Sequence, residues 1–201
     1  MSFTLIIVIV TVLVSLGAFN NATLMDKLLL WPRRMDSPSE YHRFLTSGFI
    51  HADYMHLFFN MFTLYMFGTH VETFFAMIGK PYLFPVLYLA GIIASSLPPY
   101  AKHKNDSYYR ALGASGGVAS VLFSAIYFAP WTKIILIIIP MPGIIFAIAY
   151  LAYSAYMDKK GNDNIGHGAH FWGAVFGFVF TFLFDPTHGR IFLEQIMNPT
   201  F

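Results

Sequence analysis

The sequence predicts an all-α membrane protein, a bundle of six transmembrane helices, and three observations carry that prediction. Of its 201 residues, 57% are hydrophobic and only 11% are Asp, Glu, Lys or Arg, where a soluble domain usually carries about 25% charge. The charges are segregated, leaving uncharged runs at 1–25, 54–71, 81–101, 111–132, 134–157 and 164–184. Each run is near or above the roughly 18 apolar residues that suggest a spanning helix. Six spans use most of the chain, so 1–201 reads as one membrane domain. A net charge of +2 gives no indication of a nucleic-acid surface. The chain has no Cys, which excludes disulfides and thiolate chemistry.

The first span is expected at about 3–18. It has no basic leader and no evident Ala-x-Ala cleavage site, so it reads as a retained helix. A long first connection follows, about 19–50, in which Leu28-Leu29-Leu30-Trp31 and Arg33-Arg34 suit an interfacial segment. Pro32 and Pro38 break it into short pieces. The second span, about 53–77, holds His56, Asn60, His70 and Glu72, with His51 just before it. His56 and Asn60 are four residues apart and share one helical face. Polar groups at membrane depth are costly and by default suggest function, although such a pair also serves as interhelical glue.

The third span is expected at about 81–98, closed by Pro98-Pro99. The fourth, about 112–130, opens with Gly113-Ala114-Ser115-Gly116-Gly117. A serine among glycines serves helix packing, or it is a nucleophile with room for substrate and for backbone donors. The fifth span is placed after Pro142, about 141–157. The sixth, about 166–184, carries His170 three residues before Gly173 and seven before Gly177. Those two glycines form a GxxxG face, so the imidazole lies where another helix approaches most closely. His167 reads as a structural or solvated residue at the end of a loop. Gly113, Gly116, Gly173 and Gly177 are the expected helix-packing glycines.

These groups together fit acyl transfer. Ser115 would attack a carbonyl, and His170 would take its proton and return it to the leaving amine. The Ser115 N–H at a helix start, with His56 and Asn60, would stabilise the oxyanion. The nearest carboxylate in sequence is Asp163, seven residues before His170, so a Ser–His dyad is expected rather than a triad. A metal enzyme or transporter built on His51, His56, His167 and His170 is the rival from another class. It lacks a His-Glu-x-x-His motif and carboxylates at these depths, so no metal is expected.

The same motifs resemble those of the rhomboid intramembrane serine proteases. They are His56-x-x-x-Asn60, Gly113-Ala114-Ser115-Gly116 and Ala169-His170-x-x-Gly173-x-x-x-Gly177, and the resemblance covers about residues 40–180 in order and spacing. Gly68-Thr69-His70-Val71-Glu72 looks like the family's glycine-plus-glutamate end to the second span. The resemblance implies a six-helix rhomboid-like bundle in a lipid bilayer, a Ser115–His170 dyad without cofactor or metal, and cleavage of transmembrane protein substrates. It also implies a water-filled cavity reaching Ser115, a multi-pass protein of a bacterial inner membrane, and a structural or water-organising role for His51. The alternative within the same family is a catalytically silent protein that binds membrane clients.

Two positions depart from the family pattern. His42 precedes Arg43 where a tryptophan is common, and Ala119 stands where some members stack a tyrosine on the histidine. The packing of His170 must therefore come from elsewhere. The resemblance also implies a cavity opening outside, yet that face collects most of the Lys and Arg, against the positive-inside rule.

Overall fold

A computed structural model describes residues 2–136, 139–161 and 165–199. It is mostly helical, with α1 Phe3–Phe19, α2 Ala22–Leu28, α3 Arg43–Thr46, α4 Tyr54–Met77, α5 Leu83–His103, α6 Ser115–Phe128, α7 Gly143–Lys160, α8 His167–Phe184 and α9 Pro186–Met197. Six long helices stand where the six apolar runs predict them. By length and composition, α5 and α8 qualify as membrane-crossing helices, and α1 and α6 are shorter apolar helices.

Side-chain caps explain the starts of α1, α2, α4 and α9. Ser2 accepts from the Leu5 amide, Asn21 from Leu24, Asp53 from His56 and Asp185 from His188. Gly161, at φ 63°, closes α7 in the left-handed conformation that favours glycine. α5 differs from its expected end: Pro98 and Pro99 lie inside the helix, which runs on to His103. Each proline removes one ladder bond, to the Ala94 and Ser95 carbonyls, and the helix continues past them.

Between α6 and α7 the chain makes an antiparallel hairpin, β1 Lys133–Leu136 with β2 Ile139–Pro142, Ile134 pairing with Met141. After α8 comes α9, which packs Phe192 on Tyr127 and Phe178. The apolar-run pattern predicts neither element.

The core centres on α6, buried from Gly116 to Phe128 except at Ala125. It lies between α4, α5 and α8, and its closest partner is α8. Gly173 sits against the Gly116 carbonyl, and Gly177 against the Ser120 backbone, so closely that neither position has room for a Cβ. The Ser120 hydroxyl lies 2.9 Å from the Gly116 carbonyl and 2.8 Å from that of Gly173, sharing its proton between α6 and α8. The Ser124 and Thr181 hydroxyls meet at 2.8 Å one turn further on. Lipid offers no hydrophobic gain for helix association, so close contact and shared hydrogen bonds hold these two helices together.

At the far end of α4, Glu72 accepts from the Phe3 amide (2.7 Å), the Thr4 amide (3.0 Å) and the Thr4 hydroxyl (2.7 Å). A carboxylate there satisfies orphan donors and complements the helix dipole of α1.

Candidate active site

The segment entering α6 is fixed by four contacts from the first connection. Leu30 and Ala111 exchange backbone hydrogen bonds of 2.9 and 3.0 Å. The Gly113 amide donates to the Ser47 carbonyl at 2.9 Å. The Ala114 amide donates to His51 Nε2 at 3.2 Å. The first connection itself is pinned by buried Arg43. Its Nη1 donates to the Asp26 and Leu29 carbonyls (2.6 and 2.9 Å), and its Nε to Glu40 (2.5 Å). The Arg34 and Arg110 guanidinium groups sit on the Trp31 ring, 3.7 and 3.8 Å from its centroid.

The tautomer of His51 follows from its partners. Ser15 Oγ has one proton, which goes to the Phe49 carbonyl at 2.9 Å. Ser15 therefore accepts from His51 Nδ1–H at 2.9 Å, leaving Nε2 to accept the Ala114 amide. Burial pushes the imidazole down to about 3, so the ring stays neutral. The same contact removes the Ala114 N–H from any oxyanion role.

His56 lies in the first turn of α4 and packs on Gly113, whose φ of 121° and lack of Cβ admit the ring. Gly113 thus departs from its expected role. It stands before α6 and receives His56, whereas Gly173 and Gly177 make the α6–α8 contact and Gly116, whose backbone meets Gly173, leaves its own Cβ position to Ser95 of α5. The Ala52 amide points at His56 Nδ1 over a long 3.5 Å. An amide only donates, so Nδ1 accepts and Nε2 carries the proton, beside Gly113. Asn60 Nδ2 donates to the His56 carbonyl at 2.9 Å, using one of its two amide protons.

Ser115 is the first residue of α6, where helix amides have no carbonyl one turn back. His170 is in the first turn of α8, its amide bonded to Gly166 O at 3.1 Å. Ser115, His170, His56 and Asn60 all line one cavity of about 2200 Å3. His167 begins α8 and is buried rather than solvated, its ring 5.5 Å from that of Tyr153 and 6.0 Å from that of His170. The four histidines of the rival metal reading divide into two pairs, since His51 lies against His56 at 4.9 Å. Among the described residues no three His, Asp or Glu converge as a metal would need. Asp163 lies outside the described residues.

The residue that sequence reasoning missed is Tyr150. It comes from α7, stacks on His170 with centroids 6.2 Å apart at 23°, and packs on Phe123 of α6 at 5.7 Å. This is the packing partner that Ala119 leaves unsupplied. No local motif flags it, because it comes from a different helix.

Around the cavity mouth, Lys102 at the end of α5 reaches Asp158 near the end of α7, 3.0 Å from its carboxylate and 3.2 Å from its carbonyl. The Asp158 carboxylate also lies over Gly168, where a Cβ would come within 2.6 Å of Oδ1.

Comparison with known proteins matches residues 38–186 to the rhomboid domain. The chain is 29% identical to RHOMBOID-like protein 12, mitochondrial, of Arabidopsis thaliana, over 78% of this chain and 50% of that protein. It is 32% identical to Rhomboid protein 1, mitochondrial, of Saccharomyces cerevisiae, over 67% of this chain and 39% of that protein. It is 29% identical to the human Presenilin-associated rhomboid-like protein, mitochondrial, over 66% and 35%. The chain thus spans half or less of the length of these relatives. Their names place them in mitochondria and lend no support to the bacterial membrane that the sequence suggests. The domain match covers most of the chain, over the same region as the three motifs, and the chain belongs to the rhomboid family.

Proposed function

We propose that this protein is an intramembrane serine endopeptidase of six transmembrane helices, cleaving transmembrane protein substrates with a Ser115–His170 dyad and no cofactor. The observation that carries the reading is the shared cavity. Ser115 at one helix start and His170 at another line it together with His56, whose Nε2 lies beside Gly113.

The chemistry follows from these groups. The Ser115 hydroxyl attacks the scissile carbonyl carbon as its proton passes to His170. The carbonyl oxygen becomes an oxyanion, facing the Ser115 N–H, His56 Nε2–H and the second Asn60 amide proton. Collapse breaks the C–N bond, and His170 hands its proton to the leaving amine. Water then attacks the acyl-enzyme, deprotonated by His170, and releases the acid and free Ser115. Tyr150 holds the imidazole plane through both halves.

The cavity answers the need for water. At 14 residues, α6 is roughly 21 Å long against a hydrocarbon layer of ~30 Å. A helix this short does not span the layer by itself, so we infer that its starting serine is submerged, where hydrolysis requires an aqueous path. Purified protein in detergent with a single-pass substrate tests the reading. Wild type is expected to cleave, and Ser115→Ala to bind without cleaving. Binding without cleavage by wild type would favour the silent client-binding alternative.

A further inference from the structure

The cavity-facing stripe of α4 does not end at the reacting groups. His56, Asn60, Thr63, Phe67, His70 and Phe74 follow one another at three- and four-residue steps, and all line the cavity. His70 is fourteen residues, roughly 21 Å, beyond His56. It is seven residues from the end of α4, so it stands within the helix rather than in a loop.

His70 is exposed, and its Nδ1 lies 2.7 Å from the Met66 carbonyl. A carbonyl only accepts, so Nδ1 carries the proton and Nε2 of the neutral ring is an acceptor. Among the described residues nothing engages that Nε2. The two neighbouring hydroxyls are spent the same way. Thr69 Oγ1 donates to the Tyr65 carbonyl at 3.1 Å, and Thr73 Oγ1 donates to that of Thr69 at 2.8 Å. All three side chains therefore turn acceptors outward and keep their donors inside the helix. A second hollow of about 300 Å3, lined by Thr69, His70, Thr73, Phe74 and Met77, opens there. His70 and Phe74 line both hollows.

In a bilayer, hydrocarbon would supply no donor to such a patch, and polar side chains on a spanning helix by default suggest function. Glu72, two residues on, shows the contrast: its acceptors are filled by α1. A neighbouring helix that carries a donor side chain fits the patch by hydrogen-bond complementarity. The patch is also continuous with the cavity that holds Ser115.

We propose that His70, flanked by Thr69 and Thr73, is a docking station for the transmembrane segment of the substrate. It reads a hydrogen-bond-donating side chain, Ser, Thr, Asn or Gln, about fourteen residues from the scissile bond in the direction of the C-terminal end of α4. This rests on the protease reading. His70 does not touch the reacting atoms; it fixes the depth at which the helix lies along α4. Hydrogen bonds between membrane helices are modest, so the preference is expected at about three- to fifteen-fold.

The test uses the full chain in liposomes and two single-pass peptides, identical except for Leu or Asn fourteen residues from the cleavage site. Wild type is expected to cleave the Asn peptide with a KM lower by about three- to fifteen-fold and an unchanged kcat. His70→Leu is expected to cleave both with the KM of the Leu peptide, and Thr73→Val to lose part of the preference. Melting curves for both variants separate misfolding from loss of docking. Equal KM for the two peptides with wild type, at that position and when the Asn is moved two turns either way, overturns the proposal. A preference that survives His70→Leu also overturns it. So does a change of oligomeric state with no change in preference, which would make the patch a self-association surface. Binding of both labelled peptides to Ser115→Ala keeps the two claims apart. Tighter binding of the Asn peptide, lost in His70→Leu, upholds docking even where no peptide is cleaved and the protease reading falls.

Discussion

The two walls that flank the proposed catalytic groups are built in opposite ways. Where α6 meets α8, glycines face backbone, and the Ser120 proton is shared across the contact. Beside that pair, α7 buries only Gly143, Ala147 and Ser154. It is tied at its ends, by the Thr132 and Pro130 carbonyls at its start and by Lys102 to Asp158 near its finish. Between the ends, the Tyr150 ring links it to His170. The difference teaches a division of labour. Ser115 and His170 ride on the pair of helices that has no slack, and α7 is the wall with few buried residues.

The largest expected effect breaks the tight side. Gly177→Val places a Cβ inside the Ser120 backbone, which cannot move aside as a side chain would. A destabilisation of about 3 kcal/mol or more is expected, with loss of cleavage, read by melting and by turnover. Wild-type melting would show that α6 and α8 do not depend on this contact.

A smaller effect sharpens the loose side. Tyr150→Ala removes the ring against His170 and is expected to lower kcat by up to about ten-fold, the upper worth of an aromatic pair. Tyr150→Phe keeps the ring and is expected to stay near wild type. Equal losses in both variants would assign the effect to the hydroxyl instead.

The clamp on α6 gives a pH signature. Folded His51 titrates at about 3 rather than 6.5. Between these values the unfolded chain binds a proton that the folded chain does not, so stability is full above pH 6.5 and falls as pH drops toward 3. The fall between pH 6.5 and 5, where most carboxylates remain ionised, is expected in wild type and blunted in His51→Gln. Parallel melting profiles would remove His51 from the clamp. The smallest effect is Gly161→Val at the C-cap of α7. Among the described residues nothing lies within 4 Å of the new Cβ, and the φ of 63° costs about 1 kcal/mol, with turnover retained.

Much of this was legible in the sequence. The six long helices overlap the uncharged runs, because apolar length is a strong local signal, although α7 starts well inside its run. The face of Gly173 and Gly177 follows from helical spacing alone. Elsewhere the signal was non-local or ambiguous. The Ile134–Ile139 run suits helix, strand or span equally, and pairing made part of it a hairpin. α9 is amphipathic, with polar residues that break the apolar pattern. Pro98-Pro99 reads as a stop, yet each removes only its own N–H from the ladder and the helix runs on to His103. Gly113 looked like a packing glycine because a sequence does not show a positive φ. Ser120 and Tyr150 act through partners on other helices, which no spacing rule reaches.

Covalent catalysis by Ser115 is the central claim, and a fluorophosphonate probe tests it most directly. Purified wild type, Ser115→Ala and His170→Ala would be treated in detergent and assayed in parallel for cleavage of one single-pass substrate. Deleting the Ser115 hydroxyl leaves the glycine contacts of α6 intact, so the variant is expected to melt near wild type. The account predicts probe attachment at Ser115 and cleavage in wild type, neither in Ser115→Ala, and strong loss of both in His170→Ala. Cleavage by Ser115→Ala at the wild-type rate would contradict it.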